Sequence, residues 1–365
     1  MKRDKEKDPD LKEEIEGIET EIKKAPLEKK GIIAMGIDVG TMNLLCARSD
    51  NNEVKLIRNV FLPLKSDEVD ISELSDINYV TSEDNDLYII GDDAQKLANI
   101  FGKTVSRPMQ KGLISSDEIS STDVLAIMIK TLIGDIKDKD VYCSYSIPAQ
   151  AIDEGRSVTY HEKVFGRIFA NLGINYKPIN EAMAIIYSEC ANDGFSGIAI
   201  SFGAGMSNLV VSYRGIEAVT FSTARSGDWI DKNVAESLNM VQNRVTSIKE
   251  KNLNLQENYT KEPNKKIRRV LEALHYYYEN LIEYTVKRMV EEFESNLKIE
   301  IEDPIPIIIS GGTSLPKGFL ELFIEIMKRY TLSFEISEIR QAKNPLTAVA
   351  NGLLIKTISD VGSKK

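Results

Sequence analysis

Two short glycine-rich turns, each set between apolar runs, constrain the fold of this chain more than any other feature of its sequence. The first lies in the stretch GIDVGTMNLLCAR, where an apolar run leads into Asp38, Gly40 and Thr41 before the apolar pattern resumes. An apolar strand, a turn and an apolar return strand predict a β-hairpin. Asp38 lies near the end of a strand that is predicted to be buried. An acid is unusual in that position, and its presence requires an explanation.

A second stretch, IAISFGAGMSNLVVSYRG, repeats the pattern. Gly203 takes the position of Gly40, and Ser201 takes the position of Asp38. Glycines mark ordinary hairpin turns as well. However, two matched turns about 160 residues apart, each at the end of a buried strand, favour two similar lobes.

Turns of this kind are suited to binding phosphate. Glycine lets backbone N–H groups approach a phosphate closely, and short Thr, Ser and Asn side chains add hydrogen bonds. Two such hairpins, one in each lobe, predict a cleft that grips a polyphosphate. A carboxylate beside phosphates needs a cation, and Mg²⁺ keeps most of its waters while taking one or two carboxylates. We therefore assign Asp38 to magnesium, bound through water.

The composition of the chain argues against several classes of protein. A chain of 365 residues is long enough for two lobes. Its net charge of -10 argues against nucleic-acid binding, which needs a basic face. The three cysteines lack the spacing of a metal site, which favours a reducing cytoplasmic location. No apolar run reaches the ~20 residues of a transmembrane helix.

Residues 1–30 form a highly charged leader with one apolar helical stripe. The stripe consists of Leu11, Ile15, Ile18 and Ile22. A solvated helix docked on the body fits this pattern, and so does a short helix that binds a protein partner. A membrane anchor is disfavoured, because the polar face is rich in acids and the stripe lacks Trp and Phe.

Strands alternate with helices in the body, which predicts an α/β protein. The sequence predicts a helix over Glu154 to Leu172. It also predicts a loop at YKPIN, before an apolar helix that Glu181 opens. An acid in the first turn of a helix is also ordinary helix chemistry.

Nine motifs along the chain resemble the superfamily of actin, the DnaK-type chaperones and the sugar kinases, and most closely the bacterial actins of the MreB and MamK kind. GIDVGTMN and SFGAGMSN resemble the two phosphate motifs, and RPMQKGLISS and SIPA resemble segments of the first lobe. INEAMAIIYSE, SGDWID, SIKEK, IIISGGTSLPKGF and NPLTAVANGLL resemble later motifs of the family. The likeness extends from about residue 31 to 357.

The resemblance implies an ATP/ADP and Mg²⁺ site with named roles. Glu181 would hold the attacking water, Asp38 would act beside it, and Ser201 would be a weak magnesium residue through water. The implied nucleotide-binding residues are Gly40, Thr41, Met42, Asn43, Gly203, Ala204, Gly205, Met206, Ser207, Gly227, Asp228, Lys249, Glu250, Gly311, Gly312 and Thr313.

The implied fold is two actin-like, ribonuclease H-like lobes with a nucleotide cleft between them and mixed sheets flanked by helices. The first lobe would cover 31–180 with a small insertion around 51–115, and the second 181–345 with a reduced insertion around 252–266. A closing helix and polar tail would cover 346–365 and return toward the first lobe.

Two departures from the family pattern matter. The segment 252–266 is short and polar where MreB-like proteins place a small subdomain, which puts polymer geometry in question. In addition, Ser201 stands where the family usually has an acid. One carboxylate fewer predicts a protein that binds ATP but hydrolyses it slowly, and it predicts that an aspartate at this position speeds hydrolysis.

We do not expect a DnaK-type chaperone, a sugar kinase or an FtsA-like membrane-bound protein, because the sequence shows no recognisable counterpart of the chaperone's substrate-binding domain, the kinase's catalytic aspartate or the amphipathic helix. We therefore expect a weak ATPase that self-associates into cytoskeletal filaments, which position an organelle, a plasmid or cell-wall machinery in a prokaryotic cell. The alternative is a non-polymerising ATP-dependent switch that controls a partner protein.

Overall fold

The computed structural model describes residues 31–51, 53–64, 77, 79–81, 87–101, 103–115 and 121–363. The predicted leader helix and the polar end of the tail therefore lie outside the described residues. Within the described residues, no helix combines the length and the apolar character that crossing a membrane requires.

The strands and helices follow one another in an α/β order. The strands are β1 (Ile32–Val39), β2 (Asn43–Arg48), β3 (Lys55–Arg58), β4 (Phe61–Leu64), β5 (Tyr79–Thr81), β6 (Leu87–Ile90), β7 (Met109–Gln110), β8 (Leu113–Ile114), β9 (Asp140–Ile147), β10 (Asn175–Asn180), β11 (Gly197–Phe202), β12 (Ser207–Tyr213), β13 (Ile216–Thr223), β14 (Ile305–Ser310) and β15 (Ile336–Gln341). The helices are α1 (Gly91–Phe101), α2 (Ser121–Ile133), α3 (Thr159–Asn171), α4 (Glu181–Glu189), α5 (Gly227–Leu238), α6 (Gln242–Asn252), α7 (Lys265–Asn296), α8 (Phe319–Met327) and α9 (Ala348–Gly362).

Two five-stranded sheets with the same topology form the two lobes. The first has the order β10-β9-β1-β2-β3, and the second has the order β13-β12-β11-β14-β15. In each sheet the first three strands along the chain pair antiparallel, and the next two add in parallel on the other side of the first strand. The internal repeat predicted from the two hairpins is therefore a repeat of the whole sheet.

Each sheet has its own apolar core. The first core packs β1 and β9 against α2 and α3, with Met35, Ile37 and Phe165 fully buried. The second core packs β11 and β14 against α5, α7 and α8. At roughly 25 cal/mol per Å² of apolar area removed from water, burial of these residues is the main stabilising contribution to each lobe.

The closing helix α9 lies at the junction of the lobes. It packs against α4 on one side and against β1 and β9 of the first sheet on the other. The Ser144 N–H donates to Thr357 Oγ1 at 2.9 Å, which ties α9 to the first sheet. Since α4 in turn packs on β11, α4 and α9 together connect the two sheets.

The additional elements of the first lobe begin later than the sequence predicted. β3 belongs to the main sheet, so these elements start at Phe61 and comprise the three-stranded sheet β4-β6-β5, α1 and the ribbon β7-β8. In the second lobe, the described segment between α6 and α7 contains one 3₁₀ turn, Tyr259–Lys261, and no strand.

Two local predictions are wrong. The predicted loop YKPIN is strand β10, which pairs with β9 at the edge of the first sheet. Pro178 is tolerated there because an edge strand has one side without ladder partners. The predicted helix over Glu154 to Leu172 begins only at Thr159, and Glu154 lies in the preceding loop, where it pairs with Lys111 at 2.7 Å.

Candidate functional site

A cleft of about 470 Å³ lies between the two sheets. Both hairpin turns, the start of α4, the end of α6 and the turn after β14 contribute to its wall. Most of the residues proposed from the sequence line it. They are Asp38, Gly40, Thr41, Met42, Asn43, Glu181, Ser201, Gly203, Ala204, Gly205, Met206, Lys249, Glu250, Gly311, Gly312 and Thr313.

Three proposed residues lie behind this wall. The Ser207 hydroxyl donates to Arg225 O at 3.0 Å, and Gly227 packs against Thr313 with no space for a side chain. Asp228 accepts hydrogen bonds from Arg107 Nη1 at 2.8 and 2.9 Å. These three therefore support the cleft, and the Arg107–Asp228 ion pair links the two lobes.

The two hairpin turns touch each other at the closed side of the cleft. A Cβ atom added to Gly205 would lie 2.2 Å from Gly112 N and 2.5 Å from Thr41 Oγ1. The Gly112 N–H donates to Thr41 Oγ1 at 3.1 Å. Glycine at position 205 thus allows the second turn to meet the first one across the lobes.

Asp38 projects from β1 into the cleft and is fixed from the neighbouring strand β9. The Ser146 hydroxyl donates to Asp38 Oδ1 at 2.8 Å. The Val39 N–H donates to Ser146 Oγ, also at 2.8 Å. These two hydrogen bonds fix the orientation of the Asp38 carboxylate through Oδ1. They do not involve Oδ2.

Glu181 enters the cleft from the first turn of α4, where Asn180 caps the helix by accepting from the Met183 N–H at 3.1 Å. Both of its carboxylate oxygens accept hydrogen bonds from the second hairpin. Ser201 Oγ donates to Oε1 at 2.6 Å, and Asn208 Nδ2 donates to Oε2 at 2.9 Å. Asn208 Oδ1 accepts from the Ala149 N–H at 3.1 Å, which fixes the orientation of the amide.

Burial perturbs both acids. Loss of solvent raises the pKa of Asp38, and the hydrogen bond from Ser146 opposes that rise. Loss of solvent raises the pKa of Glu181 as well, and the charge of Asp38 raises it further, whereas the hydrogen bond from Ser201 lowers it. Two acids that repel each other in a buried cleft are stabilised in their charged form by a nearby cation.

The donor set fits magnesium held mainly by water and phosphate. The described residues contain no group of three or more His, Cys, Asp or Glu side chains that would enclose a metal ion. Mg²⁺ does not need such an enclosure, since it keeps several waters and takes one or two carboxylates. Asp38, with Glu181 near it, offers this kind of oxygen site.

A further part of the cleft wall is built from α6 and the turn after β14, where Thr313 Oγ1 donates to Gly203 O of the second glycine turn at 2.7 Å. Lys249 Nζ donates to Asp231 Oδ2 at 2.8 Å, and Asp231 is fully buried. Glu250 pairs with Arg58 of the first lobe at 3.4 Å. Leu253, Leu315 and Pro316 supply apolar surface beside these polar groups, which suits a flat aromatic ring.

The sequence reasoning missed four residues that organise the cleft. Ser146 and Asn208 hold the two acids, Asp231 holds Lys249, and Arg107 pairs with Asp228. Asn208 had a visible signal, because it occupies the position in the second hairpin that corresponds to Asn43. Asp231 and Arg107 lie inside the motifs SGDWID and RPMQKGLISS, but neither motif indicates these contacts, since the partners lie on other elements.

Comparisons with known proteins agree with this architecture. The MamK double helical filament has a TM-score of 0.65 at 14% identity, with coverage of 88% of this chain and 98% of that chain. MreB5 of Spiroplasma citri bound to AMPPNP has a TM-score of 0.61 at 16% identity, with coverage of 90% and 97%. Apo ParM of pSK41 has a TM-score of 0.52 at 14% identity, with coverage of 92% and 100%.

At these identities the structural likeness establishes the fold alone, which is the two-lobed actin-like fold near the MreB and MamK type. Comparison with curated proteins finds no match. A sequence-family model described as Volactin matches residues 33–357, which cover both lobes and most of the closing helix. The chain belongs to the Volactin family.

Proposed function

We propose that this protein binds ATP in the cleft between its lobes, hydrolyses it slowly and assembles into filaments. The observation that supports the proposal most strongly is the cleft itself. Two glycine turns from equivalent hairpins line it, and so does an apolar slot formed by Leu253, Leu315 and Pro316. That arrangement matches a ligand with a polyphosphate at one end and a flat base at the other.

Solved relatives support the nucleotide part of the proposal. The MreB5 structures are described as bound to AMPPNP and to ADP, and a MamK mutant is described as bound to AMPPNP. In our proposal, the backbone N–H groups of the turns at Gly40 and Gly203 bind the phosphates. Gly311 and Gly312 approach the nucleoside, and Lys249 and Glu250 line its side of the cleft.

The hydrolytic step relies on position and charge. Phosphoryl transfer needs mainly an oriented nucleophile and neutralised phosphate charge. Glu181 is the residue that accepts a hydrogen bond from the attacking water and orients it. Ser201 and Asn208 fix its carboxylate, and Asp38 holds the waters of Mg²⁺. When bound, Mg²⁺ supplies the positive charge that neutralises the phosphates.

Filament assembly is proposed from the MamK comparison, since that structure is described as a double helical filament. The short segment between α6 and α7 makes us expect a filament geometry that differs from that of relatives with a larger subdomain there. We expect the filament to position an organelle, a plasmid or cell-wall machinery in the cytoplasm of a prokaryotic cell. The leader at 1–30 is the proposed contact for a protein partner.

One experiment tests binding and assembly separately. Thermal melting with ATP, with and without Mg²⁺, should show stabilisation of about 2.7 kcal/mol at 100-fold excess over Kd. Ultracentrifugal pelleting and electron microscopy under the same conditions should show ATP-dependent filaments. ATP binding without any pelleting would support a nucleotide switch, and absence of ATP binding would contradict the proposal as a whole.

A further inference from the structure

A second cavity, of about 910 Å³, lies beside the nucleotide cleft and between the same two lobes. One of its walls comes from β3, α1 and the segment after α1, and the other comes from α6. The second cavity shares Met42, Arg58 and Glu250 with the nucleotide cleft, but Gly40 and Gly203 do not line it. Its volume lies within the roughly 300–1,000 Å³ that is usual for small-molecule sites.

The lining of the second cavity is basic, although the whole chain has a net charge of -10. Two of the lining residues are acids, Asp92 and Glu250, and six are bases. The bases are Arg58, Lys96, Lys103, Arg107, Arg244 and Lys251. Even with two further acids that pair with lining bases, Asp93 and Asp228, there are six bases against four acids, a balance of +2.

The bases of the second cavity differ in how far the protein already uses them. Arg58 and Arg107 are half-buried, and each makes an ion pair with an acid of the other lobe. Arg244 and Lys251 are exposed on α6, and their side chains make no hydrogen bond or ion pair with the described residues. These two cations are therefore available to a ligand in the cavity.

The wall that α6 forms is polar throughout, since every residue of this helix that lines the second cavity is polar or charged. Asn243, Ser247 and Lys251 follow one another at steps of four residues, which places them on one face of the helix. The opposite wall adds the amide of Gln95 and the hydroxyl of Thr104. The second cavity thus combines positive charge with neutral hydrogen-bond donors on both walls.

This combination selects an anion with many acceptor oxygens. Charge-assisted hydrogen bonds from Arg and Lys to phosphate are strong, and hydroxyl and amide donors complete the contacts. Bases on both walls repel one another across the cavity, and a polyanion that touches both walls removes that repulsion. The two acids of the lining do not offer a competing cation site, because both pair with Arg58.

We propose that the second cavity binds a small molecule with several phosphate groups, at a site distinct from the ATP cleft. Arg244 and Lys251 contact its phosphates from the second lobe, and the bases near α1 contact them from the first lobe. The size of the cavity favours a small molecule over an acidic peptide. This inference does not depend on ATP binding in the cleft.

The test titrates inorganic tripolyphosphate into the full chain by calorimetry at 150 mM KCl, with the ATP cleft filled by AMPPNP and Mg²⁺. One double variant carries Arg244→Gln and Lys251→Gln. The matched control carries Lys163→Gln and Arg167→Gln, which remove the same charge from exposed positions of α3 that line neither cavity. A hexaglutamate peptide, titrated in the same way, measures attraction to negative charge without phosphate.

We expect wild type to bind tripolyphosphate beside AMPPNP, and the α6 double variant to bind it at least about tenfold more weakly. The α3 double variant should keep the wild-type Kd, and both should keep the wild-type affinity for AMPPNP. Failure of tripolyphosphate to bind beside AMPPNP, equal weakening in both double variants, or equally tight binding of hexaglutamate would each overturn the inference.

The test also separates this inference from the proposed function. Wild-type protein that does not bind AMPPNP would refute the proposed function. The comparison of the two double variants with tripolyphosphate would still decide the second site, because neither pair of changes touches the glycine turns of the cleft.

Discussion

The two hairpins at the cleft have the same topology but obtain their acids differently. In the first lobe the acid is on the hairpin itself, as Asp38 of β1, and Ser146 of β9 holds it. In the second lobe the equivalent position is Ser201, and the acid is Glu181 from α4. The first hairpin therefore supplies a charge to the cleft, whereas the second supplies hydrogen-bond donors to a charge that comes from elsewhere.

This difference shows how a duplicated fold can become asymmetric at its site without changing its sheets. Both hairpins keep a tight glycine turn, which suits the phosphate binding that we propose. The charge before the turn differs, because Asp38 is an acid and Ser201 is neutral. Because α4 packs on both β11 and α9, the acid that it supplies lies at the junction of the lobes. Its position therefore depends on how the lobes are arranged.

The largest effect is expected from Glu181→Gln, which removes the charge of the acid that α4 places beside the second hairpin. ATP hydrolysis should fall by about 100-fold or more, which is the typical effect of losing a general base. The glutamine amide accepts a hydrogen bond from the attacking water less strongly than the carboxylate does. ATP affinity should change little, since the proposed phosphate contacts are made by the turns and not by Glu181. Phosphate release under single-turnover conditions and calorimetric Kd values measure the two effects.

Glu294→Gln is the matched control, because Glu294 is exposed on α7 and far from the lining residues of the cleft. It should leave both hydrolysis and ATP affinity at wild-type values. A Glu181→Gln protein that hydrolyses ATP at the wild-type rate while folded would show that another group orients the water.

Much of the fold was predictable from the sequence, because the decisive signals are local. The two glycine turns, the apolar runs on either side of them and the acid at the start of α4 are readable within a few residues. Their repetition predicted two lobes, and the structure confirms the actin-like fold. The positions of both hairpins followed from the same patterns.

The rest depended on contacts between distant segments. Pro178 made β10 resemble a loop, and only its place at the edge of the sheet explains the strand. The sequence gives no sign that Arg107 pairs with Asp228, 121 positions away. The role of Ser201 as a donor to Glu181 is likewise a property of the assembled sheet, since the two residues lie on different elements.

The lobes also differ in the position of a buried aromatic side chain whose polar atoms have no hydrogen-bond partner among the described residues. In the second lobe it is Tyr278 on α7, which is fully buried and whose hydroxyl has no hydrogen-bond partner among the described residues. In the first lobe it is His161 on α3, which is 1% exposed and packs on Phe165 with 4.7 Å between ring centroids. Neither ring nitrogen of His161 has a hydrogen-bond partner among the described residues. This ring contributes to the core, so protonation must oppose folding.

Burial lowers the pKa of His161 from 6.5 to about 3, so the unfolded chain takes up a proton at higher pH than the folded one. Stability is therefore unaffected above pH 6.5 and decreases as the pH falls from 6.5 toward 3. His161→Leu should remove that loss, which linkage places at roughly 2 kcal/mol at pH 5. Urea unfolding of both proteins at pH 7.5 and pH 5 gives the difference.

His275→Gln, a change at the second histidine of the chain, is the control for a general effect of histidine loss. It should keep the wild-type dependence of stability on pH. An equally steep loss of stability in His161→Leu would assign the acid sensitivity of the first lobe to carboxylates and not to this ring.

A smaller effect is expected where the two hairpins meet. Gly205→Ala places a methyl group within 2.2 Å of Gly112 N and must push the second turn away from the first. ATP affinity should fall about tenfold, since both turns have to face the same phosphates. Gly155→Ala is the matched control, because a Cβ atom there meets nothing within 4 Å. Equal ATP affinity in the two variants would show that the turns bind phosphate independently.

The smallest effect is expected at Ser201, and its sign distinguishes two interpretations of the asymmetry. If Ser201 only marks a lost magnesium acid, Ser201→Asp should speed hydrolysis, as the family resemblance predicts. The structure favours the opposite result, because Ser201 Oγ lies 2.6 Å from Glu181 Oε1 and donates to it. An aspartate there would replace a donor by a second negative charge and would make the charged form of Glu181 less stable.

We therefore expect Ser201→Asp to slow hydrolysis, and Ser201→Ala to slow it about fivefold, which corresponds to loss of one hydrogen bond of about 1 kcal/mol. Ser201→Thr keeps a hydroxyl and should retain most of the rate. Phosphate release at several Mg²⁺ concentrations measures all three variants. Faster turnover of Ser201→Asp at low Mg²⁺ would mean that metal recruitment limits the reaction, and that the second hairpin has lost a charge which Glu181 does not replace.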